Sequence, residues 1–74
     1  MAIQKAKYEA LSDFQFRNIE TGLYVFVKAG EQYRLEELDR KYDAVRIVND
    51  DASVNAWLSL YEFVTKFGEV RERD

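Results

Sequence analysis

The sequence predicts a mainly β domain: a small five-stranded barrel with a short helical turn near the C-terminus. Three observations carry this expectation. Large apolar residues recur at every second position in several short runs, the signature of half-buried strands. Turn-forming residues separate those runs, and glycine occurs only at 22, 30 and 68. In "FVKAGEQYRL", residues 26–35, one alternating run enters a Lys-Ala-Gly turn and a second leaves it. The competing architecture is α+β, a small antiparallel sheet packed by a C-terminal helix over 54–67.

The elements follow in order. "AKYEAL" alternates as a short strand, with Tyr8 sharing a face with Ala6 and Ala10. In "SDFQF", Phe14 and Phe16 are two apart and share a face. "NIETG" is a turn that Asn18 opens, with Gly22 supplying a positive φ. "LYVFV" is β-branched and aromatic, hence a strand. "KAG" turns the chain, and Gly30, without a Cβ, takes φ > 0 and lets two strands diverge without a side-chain clash. "EQYRLEEL" begins extended, with Tyr33 and Leu35 on one face. It passes into a helical turn because Leu35 and Leu38 stand at i and i+3. "ELDRKYD" reads as a surface connection, "AVRIVND" as a strand and "NDDAS" as a hairpin tip, with "VNAWLSL" returning as partner.

"SLYEFVTKFG" then reads as helical. Leu60, Phe63, Val64 and Phe67 form its stripe, Ser59 and Glu62 have capping-box spacing, and Gly68 is the stop. "EVRER" closes as a final strand or frays. The single-helix alternative places Val54, Trp57, Leu58, Tyr61 and Val64 on one stripe behind a Ser53 cap. The strand reading is preferred because it gives "AVRIVND" an antiparallel partner, where the alternative leaves a long edge exposed.

Bulk composition limits the function classes. The 74 residues make one domain, 1–74, with 1–5 and 72–74 expected to fray. A chain this short buries only about 60% of its unfolded surface. It has neither cysteine nor histidine, so apolar burial alone must hold it, without disulfide or structural zinc. The net charge is −3 with both signs interspersed, and no basic run marks a phosphate-backbone site. No apolar run approaches the ~20 residues of a membrane span. "MAIQKAKYEA" lacks the apolar core of a secretion signal, which makes the cytoplasm the expected location.

The order of elements resembles a Src-homology-3-like barrel. "AKYEAL" is similar to that family's opening "ALYDY" strand. "FVKAGEQY" is similar to its diverging turn, and "AVRIVND" with "WLSLYEFV" to its distal hairpin and following 3₁₀ turn. The likeness covers about residues 6–70. The chain is also similar to small barrel proteins of bacteriophages and prophages with the pattern "G-x-x-Y-x-V…Y-R-I-I-D-D…W-x-P-x-x-x-F". Gly30, Tyr33, Leu35, Val45 through Asp50, Trp57 and Phe63 match it. What the resemblance implies is the fold rather than the family's proline-rich ligand. The groove proline corresponds to Ser59, the groove tyrosine falls at or near Glu62, and "RKYDAV" stands where the paired tryptophans belong. Tyr8 would keep one groove wall.

No catalytic apparatus is legible. Ser12, Thr21, Ser53, Ser59 and Thr65 have no histidine to activate them. Glu36-Glu37 and Asp50-Asp51 are adjacent pairs whose side chains point apart. "NDDAS" lacks the spacing and glycine of a calcium loop. The expectation is therefore no enzyme, no cofactor and no metal.

The first function expected is a protein-interaction module, a phage or prophage accessory protein that binds a host or viral protein through Tyr8, Trp57 and Tyr61. Trp57 points outward beside Tyr61 as an anchor if Ala56, Leu58 and Leu60 face inward. Otherwise it covers the barrel's open end or the N-terminal segment. Tyr24, Tyr33 and Tyr42 read as rim residues. The second is a structural virion component, or a homo-oligomer that closes the edge strand "AVRIVND" with a neighbour. The third, nucleic-acid binding by Lys5, Lys7, Arg17, Lys28, Arg34 and Arg46, is weakened by acidic neighbours. Gly22 and Gly30 are the fold-critical positions.

Overall fold

A computed structural model describes residues 7–70. The expectations for residues 1–5 and 72–74, including Lys5, and for Ala6 lie outside them. The described chain is mainly β. It runs β1 (Lys7–Ala10), β2 (Phe14–Arg17), β3 (Tyr24–Val27), β4 (Gln32–Asp39), β5 (Ala44–Asn49), β6 (Asn55–Ser59), α1 (Leu60–Lys66) and β7 (Phe67–Glu69). Five strands form one antiparallel sheet in the order β6-β5-β4-β1-β7, and β2 and β3 form a separate hairpin. Residues 54–67 are thus strand followed by helix, not one rod. No ladder joins β6 to β7. Helix α1 spans the gap between them, so this side is covered by packing rather than by strand pairing.

Alternation sets the core. Val45, Ile47, Ala56 and Leu58 are buried on the inner face, and Tyr33 joins them from β4. From the hairpin come Phe16 and Val27, with Phe14 and Val25 packed beside them; from the helix and β7 come Phe63 and Phe67. Val64 departs from its expected stripe and is exposed, because a seven-residue helix lying on a sheet buries only one narrow side. Tyr33 is a core residue rather than a rim one, 1% exposed. Its hydroxyl donates to Glu31 Oε1 at 3.0 Å. Burial, then that hydrogen bond and the glutamate's charge, push the phenol well above its ordinary range.

Two local readings change. The i, i+3 spacing of Leu35 and Leu38 is not a helical turn. β4 continues to Asp39 with a register shift between Leu35 and Glu37, so Leu35 faces Ile47 and Leu38 faces Val45. One extra residue in a strand restores two positions three apart to the same face, which imitates helical spacing in the sequence. "ELDRKYD" is accordingly strand as far as Asp39 and turn only over 40–43. Gly68 is not a helix stop either. The cap is Phe67, already extended at φ −122°, and Gly68 pairs with Glu9 inside β7. A Cβ at 68 would meet Leu11 Cδ2 at 3.1 Å, so close approach explains this glycine. The Ser59 cap is as expected: its hydroxyl accepts from the Glu62 N–H at 3.1 Å.

Gly22 and Gly30 both take positive φ, 79° and 88°. The Gly30 N–H donates to Ala10 O and the Ala10 N–H to Glu31 O, which ties the turn to the end of β1. Nothing lies within 4 Å of a Cβ built at Gly30, so the requirement there is conformational and not steric. Gly30→Val is expected to cost about 1–3 kcal/mol because a β-branched residue resists this backbone region. Gly30→Asn should cost less, since asparagine tolerates it. Thermal melts of the two variants check the order, and equal melting temperatures for valine and wild type would contradict it.

Candidate functional site

The three residues singled out from sequence do not converge. Tyr8 pairs with Tyr33 on the inner face of the sheet, half-buried, and meets the Phe63 ring edge-on at 4.8 Å. Trp57 is on the outer face, opposite Arg46. It is half-buried, and both of its outward backbone groups are occupied. Its N–H donates to Asn18 Oδ1 at 3.1 Å and its carbonyl accepts from the Ile19 N–H at 2.9 Å. Tyr61, in the first turn of α1, is 75% exposed.

Tyr42 and Tyr61 are the chain neighbours of two residues that a backbone hydrogen bond joins. The β5–β6 ladder ends at Ala44 and Ser59, and the Leu60 N–H continues it by donating to Asp43 O at 2.7 Å. Tyr42 and Tyr61 flank that bond, and Tyr42 is 70% exposed. The Asp39 carboxylate folds the turn by accepting from the N–H groups of Lys41 and Tyr42. Lys41 Nζ sits 5.4 Å from the centre of the Tyr42 ring. Arg40 and Lys41 are exposed and make no ion pair among the described residues. Leu38, at the end of β4, and Val64, one turn beyond Tyr61, add exposed apolar surface on the elements that meet at this corner. The sequence signal was a tyrosine inside a charged turn, "DRKYD", which local periodicity reads only as a connection.

A second set of exposed aromatics lies on the hairpin. Phe26 is opposite Gln15 and Tyr24 opposite Arg17, with Tyr24 and Phe26 turned outward while Val25 and Val27 face in.

The polar side chains mostly serve the backbone. The Thr21 hydroxyl accepts from the Leu23 N–H, the Ser53 hydroxyl accepts from Asn49, and the Thr65 hydroxyl donates back to the carbonyls of Tyr61 and Glu62. Asp51 accepts from Ser53, whose side-chain and backbone hydrogen bonds hold its carboxyl below the usual range. Among the described residues no three acidic or other metal-ligating groups cluster. Lys7, Arg34 and Arg46 do share the outer face, as register requires. Each is met by a carboxylate: Lys7 by Asp50 at 3.7 Å, Arg34 by Glu36 and Asp50, and Arg46 by Glu37 at 2.7 Å. Such exposed pairs add little stability. They do neutralise the cations that a phosphate backbone would need.

The strand "AVRIVND" is not an edge. β5 is paired on both sides, by β4 and β6. No protein-family model matches the chain, and no curated protein and no solved structure matches it significantly.

Proposed function

We propose that this domain is a non-enzymatic protein-interaction module that docks its partner at the corner made by Tyr42 and Tyr61. The observation that supports the reading is the Leu60 to Asp43 hydrogen bond, which sets two of the most exposed aromatic side chains on either side of one link. Tyrosine carries a large apolar area with few rotatable bonds, so ordering it in an interface costs little entropy. Arg40 and Lys41 beside it make no ion pair among the described residues, which favours a partner segment with acidic residues next to apolar ones. The corner opens α1, the region that the Src-homology-3 resemblance aligns with the family's groove. Ser59 caps the helix there instead of supplying a groove proline, so the partner proposed is not a proline-rich peptide. The phage and prophage resemblance makes a host or viral protein in the cytoplasm the partner to look for.

The test compares wild type with Tyr42→Ser/Tyr61→Ser in affinity capture from the producing cell. Both side chains are exposed, so the variant should melt within the range of ordinary surface substitutions, about 0.5 kcal/mol. The expected result is loss of the captured protein, and Arg40→Glu/Lys41→Glu should reduce capture as well. Capture unchanged by the tyrosine variant would reject the corner as the docking surface.

A further inference from the structure

We infer that the free edge of β3 pairs with the same edge of a second copy, antiparallel, about a two-fold axis at Val25. The Asn18 N–H donates to Leu23 O at 2.8 Å, and this fixes the phase of the hairpin. Bonded and non-bonded pairs alternate in an antiparallel ladder, so Phe16 with Val25 and Phe14 with Val27 exchange the hydrogen bonds. The N–H and C=O groups of Tyr24 and Phe26 therefore point away from β2. They meet no partner among the described residues.

The fold treats its edges unequally. The edge of β6 is covered at its middle residue, because Asn18 Oδ1 and the Ile19 N–H occupy both outward backbone groups of Trp57. The edge of β3 has no such cover. Its sequence from Gly22 to Val27, "GLYVFV", contains no charge, no proline and none of the usual guards against strand addition.

The edge is also complementary to itself. A two-fold axis at Val25 places Tyr24 opposite Phe26 of the second copy, and Phe26 opposite its Tyr24. Both are bonded positions, so four backbone hydrogen bonds would form across the junction, using the two N–H and two C=O groups that these residues offer in each chain. On the outer face the four aromatic rings become neighbours, with Gln15 and Arg17 at the flanks. Lys28 comes opposite Gly22 and near Glu20 of the other chain, so opposite charges meet at each end. At those ends Arg17 is occupied by the Gly22 carbonyl, Glu31 by the Lys28 N–H and Tyr33, and Asp13 by the Ala29 N–H. Leu23, Tyr24 and Phe26 are 69%, 61% and 75% exposed. The area they could bury is on the order of 800 Å² in total, at the low end for specific association. The dimer is accordingly weak and concentration-dependent, and it uses a surface distinct from the Tyr42–Tyr61 corner.

Amide hydrogen exchange on the intact chain, followed over about a hundredfold range of concentration with sedimentation in parallel, tests this. The expected result is a rise in mass together with at least about tenfold greater protection at the Tyr24 and Phe26 amides. Val25, bonded inside the hairpin, should not change. Phe26→Lys, at an exposed site that leaves folding intact, should abolish both changes. A monomer throughout overturns the inference. So does a dimer in which the Tyr24 and Phe26 amides exchange at the monomer rate, or one that survives Phe26→Lys.

Discussion

Phe67→Ala is expected to lower the folding free energy by about 3–5 kcal/mol, the range for deleting a buried aromatic ring. Phe67 is 5% exposed and stands where α1 becomes β7, opposite Ala10. Its ring is stacked on Phe63 at 5.1 Å and meets Phe14 and Tyr33 edge-on at 5.5 and 5.6 Å. Those three rings come from the helix, the hairpin and the five-stranded sheet. One side chain therefore fastens all three parts of the fold together. Aromatic pairs of this geometry add about 0.5–1.5 kcal/mol beyond area burial, and alanine removes three of them. A domain of this length is stable by only about 4–11 kcal/mol, so the variant stands at the edge of unfolding at room temperature. Val64→Ala is the matched control. Val64 belongs to the same periodic stripe in the sequence but is 59% exposed, and its truncation should change stability by less than about 0.5 kcal/mol. Urea denaturation of both proteins checks the contrast. Similar losses for the two would mean that Phe67 does not sit at the junction described.

That contrast marks how far the sequence can be read. Phe63, the Ser59 cap and the turns at Gly22 and Gly30 were legible because each depends on residues within one or two turns of chain, whereas Phe67, read into the helix, is the first residue of β7. So was the β5–β6 hairpin, whose alternation and tip composition agree. The bulge in β4 was not, because Leu35 and Leu38 satisfy helical spacing and bulged-strand spacing equally well. Only pairing with Ile47 and Val45, set by another strand, decides between them. The face of β3 was hidden for a different reason. In "YVFV" both alternating sets are apolar, so period two cannot tell which set meets the core. That Tyr42 and Tyr61 flank one backbone link was invisible because it depends on how the β5–β6 ladder ends. The exposed aromatics were hidden for the same reason: exposure is a property of the assembled fold, and composition does not contain it.

Asn18→Ala is the second large effect, about 2–4 kcal/mol, and its origin is polar rather than apolar. Asn18 is 6% exposed, the one polar side chain buried among the described residues. From sequence it is only the first residue of a turn. In the fold its carboxamide oxygen accepts two N–H groups, from Glu20 at 3.0 Å and from Trp57 at 3.1 Å. The Glu20 bond is local, and Glu20 is exposed, so that N–H can turn to water. The Trp57 N–H is on a partly buried strand edge 39 residues away and has no other acceptor among the described residues. Alanine strands the Trp57 donor at a cost of about 1–3 kcal/mol and gives up the Glu20 bond, worth about 0.5–1.5 kcal/mol. The same change loosens the hairpin from β6, leaving the Ile19 to Trp57 bond as the one backbone link between them among the described residues. Asn18→Asp keeps an acceptor in the same place and should recover at least half of the loss. The decisive measurement is amide exchange at Trp57. It should accelerate in the alanine variant and stay slow in the aspartate variant, whereas a turn-only role for Asn18 predicts no change at Trp57 in either.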